Sequence, residues 1–408
     1  MNSSPLDFAE ARDTSLETIR VLARDFKHRH TGLGDERRCA EYIAKRLSNR
    51  GIEADTFAVK VTGWKIKGKP SLQIRSPEER DLEFGPVVYS DSTDQDGIVG
   101  SLAYEGTVNL MGSFPCTRFS IRSEGGKCVG NIFGRDEGLA IVQPHIVAGN
   151  LEPSAIIGSS DNLAMLRAME SHSKTNVRLR YTCEAQFEPQ TETLRVEGII
   201  QGRKKPEEII VVNAHLDSQG AEGVPEAVDS CGAVDDAAGC AVLLEFANYC
   251  RQRGTDRTII FSATCGEEWG KIGARSFAQH LDKIGLTPKI AAFVNIDAIC
   301  FRGAKELIIN ASGGELGPQS YNMNEICKRA LKKAGLKREN RIRVTEWSPP
   351  RGFDQQAFYE RGVPVATIFT HNDLYYHRSS DMIPRSVDEQ LLLRAIEYYY
   401  YMLVAVAN

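Results

Sequence analysis

Apolar residues recur every three or four positions in two stretches near the start of the chain. Leu16, Ile19, Leu22, Ala23 and Phe26 mark one helical face, and Cys39, Tyr42, Ile43 and Leu47 mark another after a break at TGLGD. Helices are therefore predicted within 14–50. From about 60 to 180 the texture changes. Short apolar runs (SLQI, PVVYS, RFSI, LAIVQPHIVAG) alternate with Gly, Ser, Asp and Pro, the signature of a smaller β-rich module. After about 180 the rhythm becomes strand, loop, helix. The runs LRVEGIIQG, IIVVNAH, TIIFSAT, IAAFVNID, ELIIN and VPVATIF are strand-like, and helical patterns follow near 236–252, 272–283, 318–335, 353–361 and 387–405. Continuous β-branched runs alternating with helices predict an α/β fold: a mixed, mostly parallel sheet sandwiched by helices. Residues 1–60 and 181–408 are assigned to that domain, and 61–180 to an inserted, smaller β-rich domain.

Composition narrows the function classes. At 408 residues the chain is long for one domain, and a net charge of -4 gives no reason to expect a nucleic-acid partner. No run of 18 apolar residues occurs. LLLRAIEYYYYMLVAVAN comes nearest but is interrupted by Arg394 and Glu397, so it reads as an amphipathic terminal helix and no membrane partner is expected. The start, MNSSPLDFAEARDTSLETIR, lacks a basic region followed by an apolar one, so a cytoplasmic location is expected. The ten cysteines are scattered with no CxxC pair, which favours reduced core thiols; Cys231 and Cys265 flank the candidate chemistry below. Homo-oligomerisation is left open.

In a sheet of this kind ligands bind beyond the carboxyl ends of the strands. His215 follows IIVVNA, Glu267 and Glu268 follow TIIFSAT, Asp297 ends AAFVNI, and His377 lies a few residues past VPVATIF. Four segments thus deliver ligand-type residues to one edge, and Asp235 opens the helix between two of them. Each has an ordinary explanation alone. Asp235 could be an N-cap, Glu267-Glu268 a solvated turn, and His215 a loop histidine whose neighbour Asp217 shares its face. Their shared placement makes those explanations jointly unattractive. Five of the residues (His215, Asp235, Glu268, Asp297 and His377) can hold two divalent cations if one carboxylate bridges, and Glu267 is left over as a base. Two such ions, about 3.5–4 Å apart, activate water for hydrolysis. Imidazole and carboxylate ligands suit zinc best, with cobalt or manganese also accommodated. HExxH, GxSxG, P-loop and GxGxxG motifs do not occur.

At these residues the chain resembles the M28 family of co-catalytic zinc peptidases, which includes bacterial leucyl aminopeptidases and glutamate carboxypeptidases. The matching segments, in family order, are AHLDS, GAVDDAAGCAVLLE, TIIFSATCGEEWGKIGARSFA, VNIDAI, GVPVATIF and YHRSSD, with RHTGLGDERRCAEYIAKRLSNRGIEAD upstream. The resemblance implies a zinc exopeptidase-like fold. It places His215 and Asp297 at one zinc, Glu268 and His377 at the other, and Asp235 between them. It makes Glu267 the general base, has Asp217 orient His215, and implies a cis peptide at Asp235-Asp236. The chain departs from the family at Asp236, often Asn there, and at Arg378, commonly Thr. A guanidinium at 378 could take a substrate carboxylate. Arg378, Tyr376, Arg351 and Asp354 are accordingly the candidate substrate contacts, and residues 348–354 a specificity loop. The leading expectation is an aminopeptidase or dipeptidase cleaving a peptide or small amide. A single-zinc glutaminyl cyclase, a carboxypeptidase, a small-molecule amide hydrolase and a non-catalytic binding module are the alternatives.

Overall fold

The computed structural model describes residues 6–32, 34–110, 114–144, 151–172, 177–314, 317, 321–336, 342–346 and 352–408. Two helices open it: α1 (Phe8–Asp25), with Asp7 accepting from the Ala9 and Glu10 N–H groups, and α2 (Glu36–Ser48). The middle segment carries β1 (Glu53–Ser76), β2 (Arg80–Asp81), β3 (Gly85–Val88), β4 (Ile98–Leu110), β5 (Phe114–Arg122), β6 (Cys128–Arg135), β7 (Gln143–Pro144), β8 (Ser154–Ile157) and α3 (Ser159–Ser171). Then follow β9 (Arg178–Ile200), β10 (Lys205–His215), α4 (Gly239–Arg253), β11 (Arg257–Thr264), α5 (Ile272–Lys283), β12 (Ile290–Ile296) and β13 (Leu307–Ala311). The chain closes with α6 (Met323–Lys333), β14 (Ile342–Glu346), α7 (Gln356–Tyr359), β15 (Val365–Phe369) and α8 (Glu389–Ala407).

The centre of the sheet is parallel, as the strand-loop-helix rhythm predicts. β10 lies between β11 and β12, and β15 follows β12, all in the same direction; β9 and β13 border this group antiparallel. Every residue of β11 and β12 is buried, because helices cover both faces. On one face α1, α2, α4 and α8 pack around Ile19, Ile43, Leu244 and Tyr399. On the other, Phe293 stacks on Phe358 at 4.1 Å, with Phe277 edge-on beside them. The register aligns His215 with Thr264, Asn213 with Asn295 and Ile296 with Ile368. The carboxyl ends of four strands therefore finish at one level.

β1 and β9 form a long antiparallel ribbon, bulged near Val61, Lys67 and Ile74. One end of β9 pairs with β11 and the other with β4, so the sheet continues from the parallel strands into the β-rich segment. That segment packs on its own apolar cluster of Trp64, Phe119, Ile132 and Tyr181, to which Val228 and Trp269 are added from the rest of the chain.

Several boundaries differ from the sequence expectation. The helix expected from 236 begins at Gly239, because Asp235 (φ -113°, ψ 84°) and Asp236 (φ -134°, ψ 43°) are non-helical. The helix expected over 353–361 shrinks to one turn. The one expected from 318 starts at Met323, where Asn322 accepts from the Glu325 N–H. Of the run LAIVQPHIVAG, Gln143–Pro144 forms a strand and 145–149 lie outside the described residues. All ten cysteines are free thiols. Among the described residues no helix is long and apolar enough to cross a membrane.

Candidate metal centre

β10 ends on His215 and leads into Asp217, and β12 leads directly into Asp297. The turn after β11, made possible by Gly266 in a left-handed conformation (φ +64°), carries Glu267 and Glu268. Asp235 stands in the non-helical turn before α4, and the Asp235-Asp236 peptide is cis. His377 comes from the loop after β15. These side chains converge. The Nε2 of His215 lies 3.1 Å from Asp235 Oδ1 and 3.8 Å from Asp297 Oδ2. The Nε2 of His377 lies 2.9 Å from Glu268 Oε2 and 3.5 Å from Asp235 Oδ2. Two triads result, His215/Asp235/Asp297 and Asp235/Glu268/His377, each with one donor atom per residue inside a 4.8 Å sphere of separations. Asp235 is common to both and offers a different oxygen to each histidine.

The electrostatics of this cluster call for a cation. Asp235, Glu268 and Asp297 are buried together, Glu267 stands beside them, and the imidazoles of His215 and His377 lie among them. Burial raises Asp297 to about 6 against the pull of His215. Burial also raises Glu267 well above the usual glutamate value, although Lys271 and His215 oppose it. Burial lowers His377, but Glu268 and Asp235 outweigh it and hold the ring at about 10. His215 is likewise lowered by burial and driven well above the ordinary histidine value by Asp297, Asp217 and Asp235. Protons thus stand in for positive charge that divalent ions would supply, and the donor set of imidazoles and carboxylates suits such ions. By this test the residues fit two divalent cations.

Surrounding groups hold the ligands in place. Asp217 lies 3.5 Å from the Nδ1 of His215. It also accepts from the backbone N–H groups of Glu267 and Glu268, both at 3.1 Å, and from Thr31 Oγ1 at 3.2 Å. One carboxylate therefore stands beside the His215 ring and fixes the Glu-Glu turn. Exchanging Asp217 for Asn should weaken metal binding by about 10- to 100-fold, because the amide puts a donor where N–H groups point. Equilibrium titration with Zn2+ measures this, and unchanged affinity would remove Asp217 from the supporting frame.

Other supports have no counterpart in the sequence reasoning. Asp381 accepts from the N–H groups of Val234 (2.9 Å) and Asp235 (3.1 Å), tying the shared carboxylate's turn to the His377 loop. The Asp236 carboxylate accepts from the N–H groups of His215, Gly239 and Ala298. Gln219 donates to Glu268 Oε2 at 2.9 Å. Buried Arg29 donates to the carbonyls of Leu216, Cys231 and Gly232, among others. The signals available were an aspartate four residues after the last histidine and an arginine at the head of RHTGLGD.

A cavity of about 230 Å³ opens over the site. Glu267 is half-buried and lines it, with Asp235, Glu268, Asp297 and His377 in the same wall. Tyr376 lines it too, its ring stacked 3.8 Å from that of His377. Two expected substrate contacts fall elsewhere. Arg378 is buried and points into the β-rich segment, donating to Glu83 Oε1 (2.5 Å) and the Ala140 carbonyl (2.6 Å), because a charge beside so buried a loop needs partners. Asp354 is buried beneath the strand ends, where it accepts from Asn213 at 3.0 Å and from Thr264; its neighbours Gly352 and Phe353 line the cavity instead. Arg351 and residues 348–350 lie outside the described residues. Arg135 of β6, which the sequence reasoning passed over, is a lining residue.

The chain is similar in sequence and in fold to known peptidases. The model of peptidase family M28 matches residues 195–402, just over half of the chain. The aminopeptidase YwaD of Bacillus subtilis (strain 168) is 26% identical over 406 residues, covering 92% of this chain and 80% of that protein. A probable zinc metalloprotease of Pyrenophora teres f. teres (strain 0-1) is 34% identical over 104 residues, 26% of this chain and 22% of that protein. The chain spans between 17% and 48% of the length of four fungal probable zinc metalloproteases that it matches. In fold, the aminopeptidase from Aneurinibacillus sp. strain AM-1 superposes with a TM-score of 0.71 at 16% identity, covering 97% of this chain and 94% of that one.

Proposed function

Because the chain belongs to peptidase family M28, we propose that it is a zinc-dependent hydrolase that cleaves a peptide or small amide bond, most simply as an aminopeptidase or dipeptidase. The observation that carries this reading is the pair of triads sharing Asp235. His215 and Asp297 would hold one ion, Glu268 and His377 the other, with one oxygen of Asp235 for each. Divalent ions held by these residues would supply Lewis acidity, easing proton loss from water and countering negative charge on the amide oxygen. Similarity to YwaD and to the fungal zinc metalloproteases supports both zinc and aminopeptidase chemistry.

The residues divide the remaining work. Glu267 lines the cavity and belongs to neither triad, so its carboxylate takes the proton from the attacking water and delivers it to the leaving amine. Its proton affinity, raised by burial, suits a base that must also act as an acid. Asp217 keeps the Glu267 backbone in place. Tyr376 and Phe353 wall the cavity and restrict water around the scissile bond.

Metal analysis tests the proposal. Purified protein loaded with Zn2+ should carry about two ions per chain, and a chelator should abolish hydrolysis of leucine p-nitroanilide; a stoichiometry near one would overturn the two-ion reading. Affinity should depend on pH with a definite sign. His377 is held at about 10 and His215 above the ordinary histidine value, and a ligand must shed its proton to bind an ion. Binding therefore releases protons and weakens as pH falls from 8 to 6, which calorimetry in buffers of different ionisation enthalpy would register.

A further inference from the structure

The two triads are rooted in different parts of the molecule, and the residues that follow their ligands along the chain mark the difference. His215 is followed by Leu216 and Asp297 by Ala298, and both are buried in the apolar cluster that packs on the parallel strands. Glu268 is followed by Trp269 and His377 by Arg378, and both of these side chains enter the β-rich segment. Trp269 is 3% exposed. Its ring stands edge-on to Tyr89 at 5.5 Å and lies 6.3 Å from Trp64, within the same cluster as Phe119 and Tyr181. Arg378 is buried and donates twice from one nitrogen, Nη1, to Glu83 Oε1 and to the Ala140 carbonyl. The loop of His377 is tied to the segment a second time through Asp373, 3.0 Å from Arg135 Nη2 at the end of β6.

The supports of the two triads divide accordingly. His215 and Asp297 follow the register of β10 with β12, and Asp236 links them further by accepting from the N–H groups of His215 and Ala298. For Glu268 and His377 the parallel-sheet side supplies backbone anchors: Asp217 takes the Glu268 N–H, and Asp381 ties the His377 loop to the Asp235 turn. The side-chain seats come from the β-rich segment. Each seat is one residue from a ligand, so a shift of Trp269 or Arg378 is carried directly to the 2.9 Å approach of His377 to Glu268.

Resting on the two-ion reading above, we propose that the β-rich segment positions the ion held by Glu268 and His377, with Arg378 and Trp269 as the positioning residues, and that the ion held by His215 and Asp297 is independent of it. Such coupling is reciprocal: the seated segment strengthens binding of that one ion, and the ion strengthens the seating of the segment by the same factor.

Competitive titration of the full chain with Zn2+ against a chromophoric chelator reads the two dissociation constants. Arg378→Gln should weaken one of them by about 10- to 100-fold, the usual effect of disturbing a group that supports a ligand, and leave the other unchanged. Arg378→Lys should restore part of the loss, because both bonds leave from a single nitrogen and one ammonium can serve both acceptors. In Glu268→Ala, which keeps only the His215/Asp235/Asp297 triad, adding Arg378→Gln should cost the remaining ion nothing. Equal weakening of both ions, weakening of neither, or a loss that persists beside Glu268→Ala would overturn the inference and leave the peptidase reading standing. The reverse direction leaves the junction unaltered. Zinc should slow hydrogen exchange of the amides of residues 82–84 and 139–142 in the wild type and much less in Glu268→Ala, and equal protection in both would also overturn the inference. Two bound ions with no peptide or anilide hydrolysed would bring down the peptidase reading alone, whereas hydrolysis by a protein that holds a single ion would bring down the two-ion reading and this coupling with it.

Discussion

With Glu267 replaced by alanine, zinc should remain bound while kcat falls by about 10²- to 10⁴-fold, the usual contribution of a positioned acid–base group. The separation of the two effects follows from geometry. Glu267 belongs to neither triad, so its removal leaves all five donors in place. Its half-buried carboxylate nevertheless borders the cavity where substrate and water meet. Removing it also relieves one of four crowded carboxylates, so zinc affinity should not suffer. The neighbouring substitution Glu268→Ala should do the reverse, taking from His377 its partner at 2.9 Å and lowering zinc content first. Zinc per chain and kcat measured on the same preparations distinguish the two, and near-normal turnover in Glu267→Ala would mean that another group moves the proton.

Asp235→Ala should have the broadest effect. A shared carboxylate serves both triads, so its loss leaves His215 with Asp297 and His377 with Glu268. Zinc sites ordinarily need at least three protein donors, and neither remainder reaches that number. Zinc content should fall from about two ions to below one, activity should drop to background, and the melting temperature should no longer rise when zinc is added. Two tightly held ions in Asp235→Ala would mean that the triads do not share this residue.

Much of the site was legible in the sequence because it obeys a placement rule. His215, Glu267, Glu268 and Asp297 each end or follow an apolar run, and parallel register brings such ends to one edge without further information. Only the family resemblance placed Asp235 between the two histidines; its local pattern did not. It looked like the start of a helix, whereas its carboxylate faces two histidines and the helix starts only at Gly239. The supporting groups were less visible because they come from far along the chain: Asp381 acts on Asp235 across 146 positions and Arg135 on Asp373 across 238. Arg378 misled by adjacency. His377 has a left-handed backbone (φ 53°), which reverses the chain, so consecutive side chains diverge, one to Glu268 and Asp235 and the other to Glu83. In the fold, the strand–helix alternation was plain, while the continuity of the sheet through β1 and β9 was not, since nothing local in two polar, bulged strands announces their pairing.

That ribbon governs how the chain can reach its native state. Its partners lie from 102 positions apart (Ser76 with Arg178) to 146 apart (Glu53 with Ile199). The strand that borders β11 is thus joined to its mate only after the whole intervening segment has been drawn into a loop, a non-local closure of the kind that slows folding. Translation emits β1 long before β9, so most of this 24-residue strand, which β2 pairs only at its far end, must wait until more than a hundred further residues have emerged. Its alternating charges, Lys60, Lys65, Lys67 and Lys69 among them, suit that wait, because an edge studded with lysine is a poor template for pairing with another chain.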